Sequence, residues 1–178
     1  MSDKLRVLFS GPVGTRSGYG SHARDLVYAL INMDKYENRD MELESGIAAF
    51  ETKNFAHAIK LLSPIAEEGN NEALYRMAIM LQNGLGCQIN TEQAFGYMNK
   101  AAENNHALAQ HALGFMFFEG ECANQDIEKS IEWFTKAAEQ GLMGSATTLA
   151  MIYEEGKLVP QDIDKAQFWY KKAGIEKK

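Results

Sequence analysis

The stretch ALAQHALGFMFFEGECANQDIEKSIEWFTKAAEQGL, residues 107–142, is the middle one of three equal blocks that follow one another without a gap. The others are residues 71–106 and 143–178. Laid on one another, the blocks agree at fixed positions. The third position is small (Ala73, Ala109, Ser145) and the seventh is apolar (Met77, Leu113, Leu149). The eighth is again small (Ala78, Gly114, Ala150), and the fourteenth is always glycine (Gly84, Gly120, Gly156). Asn90, Asp126 and Asp162 share the twentieth position. Tyr97-Met98, Trp133-Phe134 and Trp169-Tyr170 come late in each block, and a Lys-Ala pair follows. A fixed period of this length marks a solenoid, in which a unit buries its apolar face only against its neighbours.

Each block reads as two helices. Ala109, Leu113, Gly114, Met116 and Phe117 recur three or four apart, which is helical spacing. The glycine at the fourteenth position ends that helix, because it accepts the left-handed conformation of a closing turn. Asn90, Asp126 and Asp162 stand where an N-cap belongs, just before the second apolar run. The small residues at 78, 114 and 150 are expected to let the two helices approach. The bulky ones at 97, 133 and 169 are expected to fill the remaining space as core.

These motifs resemble the Sel-one-like repeat family, a relative of the tetratricopeptide repeats. The resemblance rests on the A-x-A-Q-x-x-L-G start, the F-x-x-G middle and the D-x-x-K-S-x-x-W-x-x-K-A-A-E-Q-G end of residues 107–142. It implies an all-α fold, a right-handed superhelix of about four antiparallel helix pairs over residues 41–178. It also implies a non-catalytic scaffold or adaptor that binds a partner peptide or helix in the concave groove. No catalytic residue and no cofactor comes with it. Residues 41–70 read as a degenerate first unit, in which Ala58, Leu61, Leu62, Ala66 and Glu67 fall on Ala94, Tyr97, Met98, Ala102 and Glu103. Its loop is shorter, as suits a terminal unit. Pro64 interrupts its second helix with a kink or a tolerated irregularity. The expected repeats are therefore 41–70, 71–106, 107–142 and 143–178.

Residues 1–40 read as a separate appendage. An apolar run, Leu5–Phe9, precedes Gly11, Gly14, Gly18 and Gly20, and a helix is expected from about His22 to Asn32 with Leu26, Val27, Ala29, Leu30 and Ile31 on its apolar side. This strand–loop–helix pattern resembles the start of a two-Rossmann-domain glycosyltransferase. The alternative function is therefore a fragment or fusion of a nucleotide-sugar transferase with a helical repeat tail. Against it, no second β-rich run follows to pair with the first, as a Rossmann half requires. A junction near residue 40 is the expectation, with Met41 as a fresh start.

Charge divides unevenly. Residues 41–178 hold twelve Lys/Arg against nineteen Asp/Glu, whereas residues 1–40 hold six against five. An acidic array disfavours nucleic acid, which needs a positive surface. No apolar run approaches the ~18 residues of a membrane span. The start of the chain does not read as a signal peptide, which gives a cytoplasmic expectation. If residues 1–40 replace a native signal, the expectation becomes periplasmic or secreted. Cys87 and Cys122 read as free thiols of a reducing compartment; the alternative, a bridge between them, needs stacked loops within about 7 Å Cα to Cα. His22, His57, His106 and His111 have no ligand spacing, so no metal site is expected.

The remaining candidates are surface residues. In tetratricopeptide-like folds the second, fifth, ninth and twelfth positions of the first helix line the concave face. Here the ninth holds Ile79, Phe115 and Met151, flanked by Tyr75, His111 and Phe118. These six form the candidate partner-binding patch, since a greasy patch on an acidic surface marks protein contact. Periodicity alone does not separate such a patch from packing against a neighbouring repeat.

Overall fold

A computed structural model describes residues 19–176. Its helices are α1 (Tyr19–Glu51), α2 (Phe55–Glu67), α3 (Asn71–Asn83), α4 (Thr91–Glu103), α5 (Ala107–Glu119), α6 (Ile127–Glu139), α7 (Met143–Glu155) and α8 (Ile163–Lys172). The described residues contain no strand. Two compact units are distinguished, Met1–Asp40 and Met41–Lys178. Within the second, α3/α4, α5/α6 and α7/α8 form tightly packed pairs, and each pair packs more lightly on the next. This is an all-α solenoid of helix pairs.

The repeat is built by its ends. Gly84, Gly120 and Gly156 all take left-handed backbone, φ 65°, 77° and 64°, and close α3, α5 and α7. Seven residues after the helix the chain meets its cap. The side chains of Asn90, Asp126 and Asp162 accept from the backbone N–H of Gln93, Lys129 and Lys165. Their own N–H groups donate back to Leu81, Phe117 and Tyr153 at 2.8–2.9 Å. One residue thus starts the second helix and pins the loop to the first. The turn from one pair to the next relies on Gly69, Asn105 and Gly141, all with positive φ, a shared position that periodicity of apolar residues does not reveal.

The helices of a pair meet through small residues, as expected, but the partner side chain is shifted by one. Phe134 is fully buried opposite Gly114, and Met98 is fully buried at the same block position. Tyr97 and Trp133 are only half-buried, with the Lys136 ammonium 4.0 Å above the Trp133 ring. Trp169 and Tyr170 are both buried in the last pair. Helical geometry explains the shift, because neighbouring residues lie about 100° apart and only one can face the small residue. The first pair obeys the same rule: a Cβ on Gly46 would lie 2.5 Å from Leu62, so α1 and α2 touch there. Pro64 lies inside α2 without ending it, and its side chain is exposed.

Gln110 ties neighbouring pairs together. It is buried at the start of α5, donates to the Ala102 carbonyl at 3.1 Å, and accepts from Gln140 at 2.7 Å. A buried amide satisfied on both sides fixes the register of the stack.

Of the N-terminal expectations, the strand Leu5–Phe9 and the glycine-rich turn lie outside the described residues. The helix expected from His22 to Asn32 is part of α1, which runs on through residue 40 to Glu51. Of its expected apolar side, Leu26 and Ala29 are exposed, and Val27 and Leu30 are half-buried.

Candidate partner-binding site

Phe115 and Phe118 of α5 face the same cavity as Met151 and Ile152 of α7. Together with Thr148, Glu155, Lys157 and Leu158 they line a cavity of about 260 Å³. It lies near the C-terminal ends of α5 and α7, with Lys157 and Leu158 of the loop after α7 among its lining residues. Phe115 is half-buried. Its ring stands edge-on to Phe134 at 4.9 Å and edge-on to Phe118 at 6.3 Å. One side of Phe115 therefore belongs to the core and the other to the cavity wall. Met151 remains 48% exposed.

His111 is a joint between repeats. Its ring packs at 4.9 Å on Phe115 and at 5.6 Å on Phe134. Its Nδ1 lies 2.7 Å from the hydroxyl of Ser145, which is fully buried. Burial lowers the His111 pKa below its ordinary 6.5, because an apolar surround disfavours the imidazolium.

Tyr75 and Ile79 sit one repeat away. Tyr75 is half-buried against the His106 ring, 5.1 Å between centroids. Burial, reinforced by the Glu72 carboxylate, raises its phenol pKa. His106 caps α5 by accepting from Ala109 N–H at 3.2 Å, and its other ring nitrogen lies 2.9 Å from Glu72. Glu72 also holds Arg76, which reaches Glu51 at 3.1 Å. Ile79 is half-buried against the apolar core of the first pairs. Of the six candidates, then, Phe115, Phe118 and Met151 line one cavity, His111 supports its wall, and Tyr75 and Ile79 pack beside the preceding joint.

The sequence reading missed Thr148, Ile152, Glu155, Lys157 and Leu158. The cavity joins the ninth and twelfth positions of one repeat to the sixth, ninth and tenth of the next. A reading of one helix at a time does not contain that offset. Ridge-into-groove packing of consecutive first helices does.

Among the described residues, no group of His, Cys, Asp or Glu is placed to hold a metal, and no helix is long and apolar enough to cross a membrane. Cys87 and Cys122 are free and half-buried. Burial, then the neighbouring Glu121, raises the Cys122 thiol pKa.

Paired helices, repeated caps and a stacked core define a helical-repeat protein of the tetratricopeptide-like class. The Sel1 repeat profile matches residues 42–70, 71–106, 107–142 and 146–175, and the chain belongs to that family. Repeats of this family are generally protein-interaction modules. Among solved structures, the chain is similar to a Sel1 repeat protein from Oxalobacter formigenes, with 26% identity and a TM-score of 0.69 over 75% of this chain and 53% of that one. It is also similar to a protective antigen of uropathogenic Escherichia coli with an SLR fold, with 32% identity and a TM-score of 0.71 over 80% of this chain and 32% of that one. The chain thus spans about half and about a third of the lengths of these two proteins. No curated protein matches it significantly. The resemblance of residues 1–40 to a glycosyltransferase has no counterpart in these matches, since the family profile begins at residue 42.

Proposed function

We propose that residues 41–178 act as a non-catalytic scaffold that holds a peptide or helix of a partner protein along its layer of first helices. Phe115, Phe118 and Met151 form the central contact. The cavity between α5 and α7 carries this reading. At about 260 Å³ it falls below the ~300–1,000 Å³ of small-molecule sites. It suits a single large side chain, and its walls are apolar with one charged pair at the rim. An aromatic bordering such a pocket is the kind of residue that dominates binding energy.

The test is Phe115→Ala, read by melting and by partner binding. The half-buried ring is expected to cost about 2 kcal/mol of stability, below the ~3–5 kcal/mol of a fully buried phenylalanine. Partner affinity is expected to fall by about 2 kcal/mol or more beyond that. A stability loss with unchanged affinity would assign Phe115 to the core alone.

A further inference from the structure

Charge is sorted between the two helix layers. The first helices, α3, α5, α7 and α1 from Met41 on, carry seven carboxylates and one cation. That cation, Arg76, is held by Glu51 and Glu72. The second helices, α2, α4, α6 and α8, carry seven of each sign. The acidity of the array therefore belongs to the layer that bears the cavity. The cavity sits beside the C-terminal ends of α5 and α7, where the helix dipole adds negative potential. Glu119 and Glu155, both exposed, end those two helices. The rim already holds one cation: Lys157 lies 3.1 Å from Glu155, with both side chains largely in water.

We infer that the occupant of the α5–α7 cavity is a basic segment of a partner protein. It seats one large apolar side chain against Phe115, Phe118, Met151 and Ile152 and sets lysine or arginine beside Glu155 in place of Lys157. This rests on the reading of the cavity as a partner site. Apolar burial supplies the anchor, and the carboxylates select the flanking charge and speed encounter.

The full chain is titrated with three short fluorescent peptides that share a central pair of leucines, flanked by lysine, by glutamine or by glutamate. At low salt the lysine peptide is expected to bind roughly tenfold tighter than the glutamine peptide, and the gap is expected to close as salt shortens the Debye length. Glu155→Lys is expected to abolish that preference without moving the melting temperature. Met151→Asp is expected to weaken the lysine and glutamine peptides alike. Equal binding of all three peptides, or a preference for glutamate, overturns the inference and leaves the cavity reading standing. Absence of binding by every peptide, or binding that ignores Met151→Asp, overturns both.

Discussion

A Cβ on Gly114 would stand 2.7 Å from two ring carbons of Phe134, so these two residues set the distance between α5 and α6. The neighbouring pair has Ala78 and Met98 at the same positions, both buried completely. A larger small residue is matched there by a slimmer partner.

Gly114→Ala is therefore expected to destabilise the protein by about 1 kcal/mol or more. The helix gains roughly 0.5–1 kcal/mol from alanine, but overpacking costs roughly 1–3 kcal/mol. Combining it with Phe134→Met copies the neighbouring pair. Chemical denaturation should give a double variant less damaged than the sum of the single changes, by about 0.5 kcal/mol or more. Strict additivity would show that the contact does not set the spacing.

Ser130 is fully buried in α6, and its hydroxyl has no hydrogen-bond partner among the described residues. The equivalent positions of the other repeats hold Ala94 and Ala166, both buried. Ser130→Ala is expected to stabilise by about 1 kcal/mol, since an unsatisfied buried polar group costs about 1–3 kcal/mol. Urea unfolding measures this, and a clear loss would mean that the hydroxyl makes a bond after all.

Asp126 and Asp162 have lowered pKa values, first because their carboxylates accept the cap bonds from the backbone N–H of Lys129 and Lys165. Lowered carboxylate values stabilise the fold above their ordinary 3.8 and stop doing so as pH falls through the folded values. Asp126→Asn keeps a capping oxygen and removes the titration. Its melting temperature is expected to fall less than that of the wild type below about pH 4. His111 acts at higher pH. Its folded pKa is lowered, so its contribution is complete above 6.5 and declines as pH drops below that value. His111→Gln is expected to flatten that part of the profile; an unchanged slope would exclude His111 as its source.

The repeat architecture was legible because three kinds of residue carry it: the helix-ending glycines, the N-caps and the small residues of the helix crossing. Each answers to a local rule of backbone or packing. The turn at Gly69, Asn105 and Gly141 obeys the same kind of rule but is spelled with two residue types, so a search for identity passes over it. Phe134 was harder to place than Trp133, because two adjacent aromatics compete for one inward direction and size favours the wrong one. Three of the eight residues that line the cavity were legible. Phe115, Phe118 and Met151 share the cavity, while Thr148 and Ile152 become visible only when α5 and α7 are laid side by side. Tyr75 and His111 fit the positional rule, yet much of their surface is spent on rings of their own repeat, His106 for Tyr75 and Phe115 and Phe134 for His111, and His111 also meets the Ser145 hydroxyl of the next repeat.

The scaffold reading is tested most directly by two variants of similar exposure on opposite layers. Met151 on α7 is 48% exposed and lines the cavity; Phe168 on α8 is 53% exposed and belongs to the second-helix layer. The full chain, Met151→Asp and Phe168→Asp are used as baits side by side, after melting curves confirm equal folding, and the retained proteins are quantified by mass spectrometry. The account expects a protein that the wild type and Phe168→Asp retain equally and that Met151→Asp loses. Retention by Met151→Asp, or loss through Phe168→Asp alone, would contradict it.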